Sequence, residues 1–557
     1  MKWLARFALA GFAIGLVMVA LPQLWYPFGF DQQVYAACGD VIRRGGIPIR
    51  DCFETKQMGV MLLYAVPIFF TRSPLAVHAF TLMWQAGTCV LLLVVARDLF
   101  KSWLAAMVAA SLYWLMYAGI NYWSMDQAET FSNVFLLAAF WLLLRSNSGP
   151  RLKPVSIIAA GALIGVAFWF KYVFALVGIA LGAAFGVHLL LQPGFSGKLV
   201  RLRTFVAAYG IGVLAILAAG LTFYALVPRG LVALRDQLVF LRDNFPLAPP
   251  RLWPQILEQL ARFVNNGADV SGDFKATLGE QTKAATVFGG GFPLIVGLAL
   301  FGLIKGLFGR GNTSWTTTHR WSTMYLGIYV IAGLVIVAWQ GNYIQYHFSL
   351  LLIPMALLAG AAFTGQAGKI AWSQQGPRSP RYIAWRALQS IVPALMTIGA
   401  TFLLVLRMTP MVADAWQNVV VEQKPLVLMY LESKQGPNLA GGDYLRAHTS
   451  VDDSISVFGD APWLYTLADR PNATNFAFVN VWIKKRGSES YDLFLRQWLF
   501  GLERNRPAYV VLTRENFPWP GNSYLDDYKL AQPIVEYVDA NYRYEGEVGP
   551  FLMFRRK

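Results

Sequence analysis

The sequence predicts an α-helical polytopic membrane protein with interfacial helices and a small α/β domain at its C-terminal end. Three observations predict it. Of the 557 residues, 56% are hydrophobic and only 14% are charged, whereas a soluble domain carries about 25% charged residues. Mean hydropathy is +0.45, and eleven apolar runs approach or exceed the roughly 20 residues that span a bilayer. Basic residues also collect in alternate loops between those runs. The composition excludes a soluble enzyme, a disordered chain and a collagen-like fibre. The three cysteines, Cys38, Cys52 and Cys89, are too few for a disulfide framework or a zinc site.

The apolar runs lie at 4–24, 74–96, 103–120, 130–144, 155–170, 174–191, 204–227, 288–304, 322–339, 345–363 and 387–406. The first begins like a signal peptide, with Lys2 and Arg6 ahead of it, but it is too long and lacks a small-residue cleavage site. A retained helix is expected. Lys and Arg set the direction. With the N-terminus inside, the inner pieces hold seventeen basic residues, among them Arg97, Lys101, Arg145, Lys198 and Lys305, against the single acid Asp98. They account for the whole net charge of +16, and the remainder is balanced. The basic excess is therefore a topology signal and requires no nucleic-acid partner. The expected location is the inner (plasma) membrane, with a cytoplasmic N-terminus and a periplasmic C-terminal domain.

Eleven passes divide the chain into a membrane region, 1–407, and an extracytoplasmic domain, 408–557. Loops at 25–73, 121–129 and 228–287 face the same side as that domain. The stretch 58–70 is apolar but too short to span, so it is expected to lie along the interface; 231–245 and 254–264 have a similar character. In the C-terminal domain, 454–458, 509–513 and 551–554 read as strands, and 491–502 as an amphipathic helix.

The outer loops concentrate the chemistry-bearing residues. Asp31 follows the aromatic exit Trp25-Tyr26-Pro27-Phe28 of the first helix. An interfacial carboxylate is partly desolvated, which suits a general base near neutral pH; the alternative is a cap on a helix 31–43. Asp126 and Glu129 stand before the fourth helix, where Ser124-x-x-Gln127 and Asp126-x-x-Glu129 both match capping boxes. Lys171 interrupts the apolar Val166-Ala-Phe-Trp-Phe-Lys-Tyr-Val-Phe at an outer turn. It either snorkels to the interface or contacts a lipid-linked phosphate. His347 closes Gly341-Asn-Tyr-Ile-Gln-Tyr-His347 and can bind phosphate, ligate a metal or be a bystander. Cys38 and Cys52 face the same side and can pair, though nothing in the sequence requires it. No Walker loop, dinucleotide Gly motif, HExxH or CxxC is present.

Asp31-Gln-Gln-Val-Tyr35, Gly46-Ile-Pro-Ile-Arg-Asp51, Phe53-Glu-Thr-Lys56 and the following Leu-Leu-Tyr64 stretch resemble the first outer loop of polytopic glycosyltransferases of the GT-C fold. That superfamily includes the protein O-mannosyltransferases and the lipid A aminoarabinose transferases. Glu129, Lys171, the Tyr-His347 helix start and the tail's Asp443-Tyr-Leu-Arg446, Val457-Phe-Gly-Asp460 and Arg470-Pro471 are similar to bacterial members. The resemblance covers nearly the whole chain, with one departure: relatives commonly carry Asp-Glu where this chain has Asp31-Gln32, which weakens a two-carboxylate metal site within that pair.

The resemblance implies a polyprenyl-phosphate sugar donor and transfer to a glycan, lipid or protein acceptor on the outer face; an in-line attack by the acceptor would invert the anomeric centre. On that basis Asp31 is expected as the base. Glu129 and Asp126 would orient the acceptor or bind a divalent cation. Lys171 and His347 would hold the donor phosphate, with Tyr35, Arg50, Asp51, Lys56, Tyr343 and Tyr346 in support. If a metal is present, Asp31, Glu129 and His347 are its expected ligands. The alternatives are a lipid or glycan transporter or flippase, and a non-catalytic membrane subunit.

Overall fold

The computed structural model describes residues 14–120, 124–147, 152–192, 197–244, 292–308, 314–340, 345–364, 380–433, 435–479, 487–514 and 532–557. Each of the eleven expected passes coincides with an apolar helix: α1 (Ile14–Trp25), α4 (Pro74–Phe100), α5 (Trp103–Ala118), α6 (Ala128–Ser146), α7 (Pro154–Phe168), α8 (Ala175–Leu191), α9 (Lys198–Leu226), α11 (Phe292–Phe308), α12 (Ser314–Gln340), α13 (Leu352–Ala361, entered through a 3₁₀ stretch Gln345–Leu351) and α14 (Pro380–Trp416). Among the described residues, six helices are long and apolar enough to cross a membrane: Pro74–Phe100, Ala128–Ser146, Tyr172–Leu191, Lys198–Leu226, His319–Gln340 and Ser390–Val421. Between them lie α2 (Phe30–Arg43), α3 (Met58–Phe70) and α10 (Gly230–Asn244). The expected interfacial stretch 254–264 lies outside the described residues.

The helices are apolar all round, so burial sorts their faces. On α9 only Phe205, Ala208, Gly212, Gly220 and Tyr224 are buried, while Val206, Ile211, Leu214 and Leu221 point outward. Such an outward face is stable only against lipid. The buried stripe packs on α7 at close range. A Cβ added at Gly212 would lie 2.0 Å from the Ile158 carbonyl oxygen, so small residues let the two backbones meet.

The last apolar helix runs on to Trp416, past the boundary expected at 407. Hydropathy drops at Arg407, but Met411-Val-Ala-Asp-Ala-Trp416 contains good helix formers, and the helix continues. The C-terminal domain follows with α15 (Leu426–Glu432), α16 (Gly436–His448), β1 (Ile455–Phe458), α17 (Trp463–Ala468), α18 (Glu489–Asn505), β2 (Tyr509–Thr513), α19 (Gln532–Asn541), β3 (Tyr542–Val548) and β4 (Phe551–Arg556). The sheet order is β1-β2-β4-β3, with β1 and β2 parallel and the other pairs antiparallel. Every residue of β1 and β2 is buried, as continuous apolar runs in a covered parallel pair require. Strand β3 was not expected from the sequence, because Tyr-Arg-Tyr-Glu-Gly-Glu-Val carries little apolar signal; it is an edge strand with four exposed or half-exposed polar positions.

This domain seats directly on the first loop. Phe53 donates its backbone N–H to Asn475 O at 2.6 Å, and the rings of Phe53, Phe240 and Phe476 pack together. Trp463, fully buried, meets Phe28 edge-on at 5.7 Å. Asp40 of α2 holds Arg43, Arg44 and Arg72 at 2.8, 2.8 and 3.1 Å. Those three arginines also contact Asp469 of the C-terminal domain.

Candidate active site

The first turn of α2 carries Asp31, and Tyr35 lies one turn later on the same face. Gly29 caps this helix: its N–H donates to Gln32 Oε1 at 2.6 Å, and Gln32 Nε2 donates to Met125 O at 2.8 Å. Asp31 is therefore not the cap, and Gln32 has a structural role. The segment after α2 doubles back. The Cys38–Cys52 disulfide, with Cα atoms 5.3 Å apart, ties it to α2, and Gln237 of α10 donates to the carbonyls of Glu54 and Lys56 at 2.6 and 3.0 Å. This places the Lys56 ammonium 3.3 Å from Asp31 Oδ1 and 3.4 Å from Glu54 Oε1, 5.3 Å above the Tyr35 ring.

A second pair stands beside the first. Glu129 opens α6, and Lys171 sits at the turn between α7 and α8. That turn is anchored by Gly59 N–H donating to Trp169 O at 2.7 Å; a Cβ on Gly59 would come 2.7 Å from Phe170. Lys171 Nζ donates to Glu129 Oε1 at 2.6 Å and to Gln340 at the end of α12. It also lies 5.8 Å above the Tyr346 ring, which meets the His347 ring edge-on at 4.6 Å. Tyr35 OH donates to Gln127 Oε1 at 3.2 Å, closing the cluster toward α6.

Burial opposes the Lys56 ammonium, but Asp31 and Glu54 outweigh it and hold its pKa well above the ordinary lysine value. For Lys171 burial prevails over the attraction of Glu129, and repulsion from Lys56 adds to it, so its pKa falls below the ordinary value. Two atoms in the cluster are buried without a hydrogen-bond partner: Glu129 Oε2 and His347 Nδ1. Such groups cost about 1–3 kcal/mol each until something pairs with them. A ligand with a hydroxyl, an N–H or a phosphate would relieve that cost.

Other expected residues lie elsewhere. Asp126, expected beside Glu129 as an acceptor or metal group, is instead taken up by His78. Its carboxylate is fully buried, with Oδ2 2.5 Å from His78 Nδ1, and His78 Nε2 lies 3.1 Å from Tyr26 O. Nor does it cap α6, whose N-cap is Gln127 with no side-chain cap bond; Asp126 instead takes the left-handed backbone, at φ 58°. Arg50 and Asp51 bond each other at 2.6 Å, away from the cluster. Asp51 Oδ2 accepts from Ile47 N–H at 2.7 Å, and Arg50 donates to Pro228 O at 3.3 Å. They brace the loop. Tyr343 lies outside the described residues. Among the described residues no three His, Cys, Asp or Glu side chains come together as a metal site. Asp31 and Glu129 each face an ammonium rather than one another, so the expected set of Asp31, Glu129 and His347 does not converge as metal ligands.

Sequence reasoning missed Glu54 and Gln340 as members of the cluster. Glu54 carried a signal, two residues before Lys56 in the same polar stretch. Gln340 carried none, because only the fold brings the end of α12 to Lys171.

No protein-family model matches the chain, and no curated protein does. Among solved structures, the chain is similar to ArnT from Cupriavidus metallidurans, whose crystal structure is bound to undecaprenyl phosphate. The TM-score is 0.53 at 15% sequence identity, covering 99% of this chain and 98% of that one. The chain adopts the GT-C fold. The likeness extends over the membrane helices and the small C-terminal sheet alike, and at this identity it speaks for the fold.

Proposed function

We propose that this protein is a membrane glycosyltransferase that moves a sugar from a polyprenyl-phosphate donor to an acceptor hydroxyl at the outer face of the membrane. One observation carries the reading. Two carboxylate–ammonium pairs, Asp31–Lys56 and Glu129–Lys171, stand in one buried cluster with the unpaired Glu129 Oε2 and His347 Nδ1. They reach it from four separate segments of a fold whose solved neighbour was crystallised with undecaprenyl phosphate.

The chemistry follows from the residue types. A phosphate is a good leaving group, so cations to receive its charge matter more than a strong acid. Lys56 and Lys171 supply two ammonium groups, and His347 a further polar contact. When a phosphate takes the lysines, Asp31 is released from Lys56 to accept a proton. Asp31 is also the more exposed carboxylate of the two pairs, at 19% against 1% for Glu129, so an acceptor has access to it. The acceptor oxygen then bonds to the anomeric carbon, the bond to phosphate oxygen breaks, and its electron pair leaves on the polyprenyl phosphate. The acceptor proton passes to Asp31. Attack opposite the leaving phosphate inverts the anomeric centre. Glu129, whose Oε2 is unpaired, orients the acceptor.

Binding of undecaprenyl phosphate to the purified protein tests the donor half of this reading. Removing either ammonium, in Lys56→Ala or Lys171→Ala, is expected to weaken binding by about 10-fold or more, because charge-assisted bonds to phosphate are worth about 1.5–3 kcal/mol. Unchanged affinity in both variants would remove the lysines from the phosphate site.

A further inference from the structure

A cavity of about 370 Å³ opens at the far end of the helical region from the catalytic cluster. Glu129 opens α6 at the cluster and Arg145 closes it at the cavity; at 1.5 Å per residue the two ends are about 24 Å apart. The cavity is lined by Arg97, Asp98, Lys101, Trp103, Trp141 and Arg145, with Leu93 and Val94 at its apolar side.

Its polar groups are organised around Asp98. That carboxylate accepts from Lys101 Nζ at 2.9 Å and from the Trp141 indole N–H at 2.8 Å, and it lies 3.7 Å from Arg145 Nε. The Arg145 guanidinium lies 5.4 Å from the Trp141 ring, and Arg97 lies 5.3 Å from the Trp103 ring. Two cations, Lys101 and Arg145, thus share one carboxylate. Arg97 makes no ion pair with it, and Arg97 Nε is buried without a hydrogen-bond partner. Trp103 and Val94 are 58% and 43% exposed on the outward face of the helices, where an acyl chain would run.

We infer that this cavity binds the phosphate of an anionic phospholipid headgroup from the leaflet opposite the catalytic cluster. Basic residues that merely mark orientation reach outward into water, each on its own. Here Asp98 draws Lys101 and Arg145 together beside the Trp141 indole, and Arg97 stands over the Trp103 ring with its Nε unpaired, next to a lipid-facing apolar strip. Basic pockets between membrane helices on the cytoplasmic side hold anionic headgroups by this chemistry, and tryptophan belongs at that depth. The site is independent of the transfer reaction.

The test uses the full-length protein in nanodiscs of equimolar dioleoylphosphatidylglycerol and dioleoylphosphatidylcholine, with retained lipids counted by native mass spectrometry. The wild type is expected to retain phosphatidylglycerol in preference to phosphatidylcholine by about 5-fold per engaged cation. The double variant Arg97→Gln, Arg145→Gln is expected to lose that preference, and Asp98→Asn to keep or raise it. Arg97→Lys keeps the charge and preserves folding but removes the planar donor fork, so the preference is expected to fall measurably. Equal retention of the two lipids by the wild type, or an unchanged preference in either arginine variant, would overturn the site. Displacement of phosphatidylglycerol by millimolar inorganic phosphate would identify a free anion as the occupant and overturn the lipid assignment.

Discussion

Lys171 shows how much a residue owes to its surroundings. In the sequence it is one cation in an apolar run, equally consistent with snorkelling. In the fold it is part-buried between Glu129, Gln340 and the Tyr346 ring. Burial, helped by Lys56, lowers its pKa. A base with a lowered pKa is fully charged only below that pKa and loses its charge as pH rises through it. Donor affinity that depends on the ammonium is therefore expected to fall on the alkaline side at a pH below the ordinary lysine value of 10.5. Lys171→Arg, charged throughout that range, is expected to flatten the decline. Affinity measured against pH for both proteins checks this; parallel curves would detach the titration from Lys171. Asp126 teaches the opposite lesson. Its spacing to Glu129 matched a capping box, yet His78, 48 positions away, takes its carboxylate. A side chain's long-range partner leaves no local trace, so Asp31, Lys171 and His347 could be singled out by residue type and position, whereas Gln340 and His78 could not.

At the level of elements, the site depends on how the first loop is held. Helix α2 carries Asp31 and Tyr35, and the returning segment carries Glu54 and Lys56. Three ties hold that segment in place: the Cys38–Cys52 disulfide to α2, the Gln237 bonds from α10 to the Glu54 and Lys56 carbonyls, and the Phe53 contact to the C-terminal domain. A disulfide closing a loop of about 15 residues contributes on the order of 3 kcal/mol. The double variant Cys38→Ser, Cys52→Ser is accordingly expected to lower the thermal midpoint and to slow transfer, with Asp31 and Lys56 less well aligned. A thermal-shift measurement alongside turnover checks both, and an unchanged midpoint would deny the staple its role. The long apolar helices were legible because a bilayer demands length and hydrophobicity, which composition records directly; among the described residues six of the eleven runs form helices long and apolar enough to cross. Strands β1, β2 and β4 were legible as apolar runs. Strand β3 was not, because an edge strand with polar outward positions resembles a loop, and the extension of α14 past Arg407 was hidden because hydropathy ends before helix propensity does.

On the scale of the whole molecule, the charge distribution and the site are two ends of one arrangement. The proposed orientation puts the basic loops, Arg97 and Arg145 included, on the cytoplasmic face, and the α2 loop, the cluster and the C-terminal domain on the other. A periplasm-dependent alkaline phosphatase fused after Lys557 is expected to be active, and one fused within the Lys101–Trp103 turn inactive; the reverse pattern would invert the topology and place the cluster in the cytoplasm. GT-C architecture was within reach of the sequence through its first loop and tail motifs, and the structural similarity to ArnT establishes it. The sugar and acceptor are not written in the cluster, whose ammonium and carboxylate groups address a phosphate and a hydroxyl of any glycan. The central claim is transfer from a lipid-linked sugar with Asp31 as base. Its most direct test incubates purified wild type and Asp31→Asn with a panel of polyprenyl-phosphate sugars and candidate acceptors and follows products by mass spectrometry. Transfer from one donor is expected of the wild type. Asp31→Asn is expected to lose about 100-fold or more in rate, with donor binding retained. Normal turnover in Asp31→Asn would contradict the base assignment, and the absence of transfer from any polyprenyl-phosphate sugar in the panel would contradict the function.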